Sequence, residues 1–269
     1  MKFEFDPNEF LSFAFTVRDV LIGALLTTIL IAVLAQLLGV LLGLIAALAG
    51  RSRNLAARTI SGLYVWFFRG TPVLVQISLL YYGLPRLLGI DPFPTQYGSL
   101  PLLIGGGFVA VTLALGVNEG AYMSEIIRAG ILSVDSGQAE AAKSLGMTPR
   151  KTMQRIVLPQ ALRVLVPPLG NEFNNMIKTT SLAYTVGVEE LLLLATNRYG
   201  TTFKPFEALF GICVYYLAMT TIWGFVQSRI EKRLGVGQGR NEPEPGFWAR
   251  MLGTGRGRQG EAGGMSGVR

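Results

Sequence analysis

The residues of this 269-residue chain best suited to chemistry sit in a segment that is otherwise largely apolar. Asn171, Asn174, Asn175 and Lys178 recur at steps of three and four, which predicts one helical face, with Glu172 beside it. Ionisable groups inside an apolar span are costly in lipid, so this stripe is expected to line a cavity or a partner subunit. A Lys there can hold a carboxylate and a Glu an ammonium, the two charges of a zwitterion; the same pair can instead neutralise itself and specify packing. A second group follows the same spacing: Asn118, Tyr122 and Glu125 share a face, with Arg128 one turn beyond Glu125. Glu125 and Arg128 read as a packing or gating pair. Glu119 adds a carboxylate that favours a cationic ligand if it faces a cavity, and otherwise lines an interface between subunits. Arg69 reads as a gating charge or as part of a structural corner, and Gly70-Thr71-Pro72 directly after it favours the corner, because that string bends a helix.

Other chemistries are poorly supplied. The chain has no His and one Cys, Cys213, so it can build neither histidine-based zinc sites nor Ser-His or Cys-His nucleophiles, and no catalytic or metal-ligating residue is assigned. A phosphate-binding GxxxxGK[ST] loop is ruled out because no Gly-Lys pair occurs, so any ATP hydrolysis must belong to another chain.

The elements that position these residues follow from composition. Half of the residues are apolar, 15% are charged and mean hydropathy is +0.43, a membrane balance. Apolar intervals predict five spans: Val20 to Gly50, Thr59 to Pro85 with Arg69 inside it, Pro92 to Asn118, Leu162 to Gly187, and Ala208 to about Ser228. Gly39 and Gly43 in the first form a small-xxx-small pair suited to close helix contact. Segments after the first, third and fifth spans hold 17 Lys and Arg against 5 on the other side, which predicts an outside N-terminus and a cytoplasmic C-terminus. That distribution accounts for the net charge of +7 without nucleic acid. Residues 1–15 read as an interfacial segment rather than a cleavable signal, and residues 230–269, rich in Gly, as a disordered cytoplasmic tail.

The longest cytoplasmic connection, about 131–160, predicts two short helices. Gln138 to Leu145 is built from helix formers and stops at Gly146; a second helix starts at the Thr148-Pro149 cap and stops at Pro159. Ala141, Ala142 and Leu145 are expected to form a small apolar face flanked by Glu140 and Lys143, a knob shaped for a groove in another protein.

Glu140-Ala141-Ala142-Lys143-Ser144-Leu145-Gly146, nine residues, then Ile156-Val157-Leu158-Pro159 resembles the EAA loop of bacterial ABC importer permeases at every fixed position. Arg69-Gly70-Thr71-Pro72-Val73-Leu74-Val75-Gln76, Gly120 to Gly130, Gly170-Asn171-Glu172-Phe173 and Lys178-Thr179-Thr180-Ser181-Leu182 are similar to segments of the polar amino acid permeases of the histidine and glutamine type. Ser124 stands where Ala is usual, Thr179 where Asp is common, and Val134-Asp135-Ser136 where Pro-Lys precedes Gly-Gln. The resemblance covers about Thr16 to Arg229.

It implies an all-α membrane protein of the type I ABC importer permease fold, with a permease domain at 16–229, in the bacterial cytoplasmic membrane. It implies that Glu140, Ala141, Ala142, Gly146, Ile156, Leu158 and Pro159 couple to a dimer of ATPase subunits that carries ATP and Mg, while this chain binds no cofactor. It implies a second permease, identical or paralogous, and an extracytoplasmic amino acid binding protein. Some relatives hold the amino acid at positions matching Glu172, Lys178 and Asn118; Glu119 and Asn175 are further candidates. Two other readings stay open: a permease of the same type for another small amine or amino acid derivative, and a channel gated by a cytoplasmic partner. An intramembrane enzyme is disfavoured by the missing nucleophiles.

Overall fold

A computed structural model describes residues 5–16, 18–94 and 105–236, and no strand occurs among them. The helices are α1 (Pro7–Thr16), α2 (Arg18–Gly50), α3 (Leu55–Gly70), α4 (Val73–Ser78), α5 (Leu84–Leu88), α6 (Gly106–Leu132), α7 (Ser136–Ser144), α8 (Pro149–Thr152), α9 (Leu158–Thr179), α10 (Leu191–Thr202) and α11 (Pro205–Arg233). A π-helical turn, Leu79–Gly83, joins α4 to α5; another, Met153–Val157, joins α8 to α9; and a 3-10 segment, Thr180–Val186, prolongs α9.

Val20–Gly50 and Pro205–Arg233 are long and apolar enough to cross a bilayer, and α3 with Val73–Leu88 makes a third span if taken as one, although the pair is bent by 105°. The helices α6 and α9, at 27 and 22 residues, are also of spanning length. Two expected boundaries move. The apolar interval expected to close at Asn118 belongs to a helix that runs on to Leu132, with Glu119 buried against α2 and Glu125 paired with Arg128; part of that interval, residues 95–104, lies outside the described residues. Pro159 does not stop its helix. The π turn shifts the ladder so that the Leu158 N–H bonds the Met153 carbonyl, and Pro159 enters α9 in its first turn, where a missing N–H costs little. Most of the tail at 230–269 is likewise outside the described residues.

The core centres on the α2–α6 seam. Gly39 and Gly43 of α2 meet Glu119 and Met123 of α6, and Gly116 and Gly120 of α6 meet Leu38 and Leu42 of α2. A methyl added at Gly43 would lie 2.9 Å from the Met123 carbonyl carbon and the Ser124 nitrogen, and one at Gly116 would lie 2.6 Å from Leu38 Cδ2. The small-xxx-small pair is thus spent inside the chain. Above the seam Ile31, Ala32 and Ala35 pack with Ile77, Phe108, Leu115 and Met176; outward residues of α2 and α11 such as Leu37, Leu217 and Phe225 are more than 60% exposed, a surface suited to hydrocarbon.

The first helix, α1, is docked rather than free. Phe13 is buried against Gly211, Arg198 reaches Glu9 at 2.8 Å, Lys204 pairs with Asp6, and the Asp6 N–H donates to Glu207 Oε1 at 2.9 Å.

We expect Gly43→Ala to destabilise the fold by about 1–3 kcal/mol, since backbone must move to admit the methyl; Gly62→Ala, with nothing within 4 Å in the interior of α3, should hold or slightly raise the thermal midpoint of the purified protein. Lys204 holds the Asp6 carboxyl below its ordinary value, and Asp6 holds the Lys204 ammonium above its own. The Asp6 contribution is therefore present above the unfolded Asp range and lost as pH falls through its lowered value, while that of Lys204 is lost only at strongly alkaline pH. The amide protection factors in α1, corrected for the intrinsic rate at each pH, should fall on acidification in the wild type, and Lys204→Met should show lower protection at neutral pH.

Candidate functional site

Three groups of residues carry the functional argument, and the first is the bend between α3 and α4. Pro72 has no N–H, so the Phe68 carbonyl four residues earlier loses its helical partner. Gln76 Nε2 donates to Phe68 O at 3.1 Å, to Thr71 O at 3.1 Å and to Thr71 Oγ1 at 2.8 Å; Asn118 Nδ2 donates to the same Phe68 O at 2.8 Å and to Gln76 Oε1 at 3.0 Å. The Thr71 hydroxyl donates to Phe67 O at 2.9 Å. Two amides on different helices thus close the carbonyls that the Gly-Thr-Pro break opens. Asn118, a candidate for the ligand, has its amide nitrogen engaged here. Arg69 lies outside this network, its guanidinium 5.3 Å from the Tyr122 ring centroid, on the α6 face that also carries Glu125. Arg128 and Glu125 pair at 2.6 Å, half exposed.

The second group is the polar stripe of α9. Its two ends differ. Toward α11, Gln227 Nε2 contacts Asn171 Oδ1 at 3.4 Å, while toward the end of the helix Lys178 Nζ donates to Asn175 Oδ1 at 3.1 Å and both side chains are exposed. Glu172 is half-buried and makes no ion pair with Lys178; the two are six residues apart and leave the helix on different sides. Glu119 is 6% exposed in the α2–α6 seam beside Gly39, with Oε1 unpartnered. Lys178 and Asn175 are thus exposed, while Glu172 is half-buried and Glu119 buried.

The third group is the knob. Asp135 caps α7 by accepting from the Gly137 N–H at 2.7 Å, and Thr148 caps α8. Gly146, at φ 78°, closes α7: its N–H donates to Lys143 O at 2.9 Å and the Met147 N–H to Ala142 O at 3.0 Å, the paired bonds of a left-handed helix stop. The expected apolar face is split. Ala142 is buried at 4%, turned toward the chain, whereas Glu140, Ala141 and Lys143 are exposed and Leu145 is 84% exposed. Of the later residues Ile156 is half-buried, Leu158 and Pro159 exposed.

Gln76, Gln36 and Tyr64, whose hydroxyl donates to Val117 O at 2.6 Å, were not singled out by spacing, although Gln76 had a signal in the Pro72 four residues before it. A cavity of about 360 Å³ between α2, α9 and α11 is lined by apolar side chains and the amides of Gln36 and Gln227, with no charge to hold a zwitterion.

Gln76→Leu should cost about 1–3 kcal/mol by leaving buried carbonyls unpaired. Asn118 shares the Phe68 acceptor with Gln76 and also donates to Gln76 Oε1, so Asn118→Leu and Gln76→Leu should be non-additive in a thermal-melt cycle; strict additivity would separate the two amides.

Residues 39–236 match the family described as binding-protein-dependent transport system inner membrane component. The chain is 43% identical over 175 residues to the probable amino-acid ABC transporter permease protein PatM of Vibrio harveyi, covering 65% of this chain and 74% of that protein. It is 37% identical over 226 residues to the probable amino-acid permease protein YxeN of Bacillus subtilis (strain 168), covering 84% and 95%. A solved structure described as an amino acid ABC transporter with histidines superposes with a TM-score of 0.73 at 35% identity, over 87% of this chain and all of that one. With its all-helical bundle, its capped EAA knob and these matches together, the chain belongs to the binding-protein-dependent transport system inner membrane components, the permeases of ABC transporters.

Proposed function

We propose that this chain is the permease subunit of an ABC importer that moves polar amino acids inward by alternating access, driven by ATP hydrolysis on a separate ATPase dimer. The observation that carries the reading is the EAA string folded as an exposed helix, a left-handed Gly stop and a second helix that runs without interruption into α9. Glu140, Ala141 and Leu145 face outward, where an ATPase cleft would receive them, and Gly146 fixes the angle between the two short helices. The relatives named as amino-acid permeases support the substrate class.

In this reading the chain crosses the membrane five times with its N-terminus outside and its C-terminus in the cytoplasm, and α9 with its 3-10 extension forms the fourth span. Lys178 and Asn175 take the amino acid carboxylate, while Glu172 and the buried Glu119 favour its ammonium. A second permease, identical or paralogous, closes the path, and an extracytoplasmic binding protein delivers the substrate. Glu125, Arg128 and Arg69 serve the gate and the corner near the cytoplasmic end of α6.

Proteoliposomes holding the chain with its ATPase and binding protein provide the test. Glu140→Arg, or Gly146→Val with its positive φ, should lower ATP-driven uptake at least tenfold while ATP hydrolysis and insertion continue; normal uptake by both would overturn the coupling role. Lys178→Ala should raise the substrate concentration for half-maximal uptake without removing the ATP requirement. Uptake independent of ATP in the wild type would instead indicate a channel.

A further inference from the structure

The cavity between α2, α9 and α11 has the wrong walls for the transported substrate and the right ones for something else. Val33, Leu37 and Val40 on α2, Val166 on α9, and Trp223 and Ile230 on α11 make an apolar slot of about 360 Å³. Its two amide nitrogens are already committed: Gln227 Nε2 donates to Glu231 Oε1 at 2.8 Å and to Pro167 O at 3.3 Å, and Gln36 Nε2 donates to Met123 Sδ at 3.6 Å, which leaves Gln36 Oε1 as a single open acceptor. Water needs two to four polar partners in a cavity, which this slot does not offer. Two of its three walls are the helices long and apolar enough to span the bilayer, and Leu37 on its rim is 63% exposed, so the slot opens toward hydrocarbon.

One end of the slot is basic. Trp223 Nε1 donates to Gly170 O at 2.8 Å and Gln227 to Pro167 O, so α11 runs antiparallel to α9 and its last turn lies beside the first turn of α9. Three residues beyond Val166 in that direction stands Arg163, and three beyond Ile230 stands Arg233; both are exposed. Arg229 and Lys232 share the turn, against the single acid Glu231, which Gln227 already holds. An apolar slot at bilayer depth that ends in a cluster of arginines matches a molecule with a hydrocarbon chain and an anionic head.

We propose that this slot is a specific site for one anionic phospholipid, its acyl chain lying between α2, α9 and α11 against Trp223 and its headgroup phosphate held by Arg163 and Arg233. The site depends on the membrane placement of α2 and α11 and not on the identity of the transported substrate. It puts a lipid on the same helix, α9, that joins the knob to the polar stripe.

Trp223 reports on its own occupancy. The full-length chain carrying Trp66→Phe and Trp248→Phe, reconstituted in nanodiscs, keeps a single indole. Acyl-brominated phosphatidylglycerol titrated into a phosphatidylcholine background should quench Trp223, and brominated phosphatidylcholine should need a concentration several-fold higher for the same quenching. Arg163→Gln and Arg233→Gln should each weaken the phosphatidylglycerol titration by about five-fold and leave that of phosphatidylcholine unchanged. Equal quenching by both lipids, or a preference that survives both substitutions, would overturn the site, as would absence of quenching, which would mean that a second permease or the closed helices cover the slot. ATP-driven uptake measured on the same preparations separates this outcome from any failure of the importer reading.

Discussion

The α2–α6 contact is the constraint on which the other elements depend. In a bilayer there is no hydrophobic gain in bringing two apolar helices together, so close association must come from van der Waals fit and buried polar bonds. This chain obtains that fit by placing Gly on both helices at matched heights, so that Leu38 and Leu42 of one and Glu119 and Met123 of the other drop into the gaps. The resulting ridge is the surface against which the bent α3–α4 pair and α9 are arranged. It also encloses Gln36 and the Glu119 carboxyl, and each keeps one buried oxygen, Oε1, without a partner.

A second economy appears at the bend. A 105° turn between two apolar helices opens carbonyls where neither lipid nor water can satisfy them. The same Gly-Thr-Pro that breaks the helix is followed four residues later by the Gln that repairs it, and α6 contributes Asn118 from the other side. Because Asn118 bonds both Phe68 and Gln76, the corner is fastened to α6, and the geometry of the break is set by tertiary contact rather than by the prolyl residue alone.

Much of this was legible in residue order. The knob was, because caps and a left-handed Gly stop are local: Asp135, Thr148 and Gly146 act on backbone within a few residues of themselves. So was the bend after Arg69, since Pro removes a donor wherever it stands. What was not legible is where a side chain turns once helices pack. Ala142 and Ala141 are neighbours of equal size, yet one is buried and the other exposed, and only the position of the helix after Gly146 decides between them. Pro159 misled for a related reason: a proline stops a helix only if the ladder needs its N–H, and the π turn before it had already shifted the ladder. Asn118 was visible as a polar residue in a span, but its debt to the Phe68 carbonyl lay fifty residues away.

The absence of a loop between α8 and α9 has a mechanical meaning. From Pro149 to Thr179 the backbone is one helical path whose contour is about 45 Å; before the paired prolines 167 and 168 its ladder is shifted by a π turn and lacks the N–H of Pro159. Such a path has little slack. In the proposed importer, a displacement at the α8 end reaches Asn175 and Lys178 only through the π turn and the prolines, much as the stiffness of its joints governs a crank.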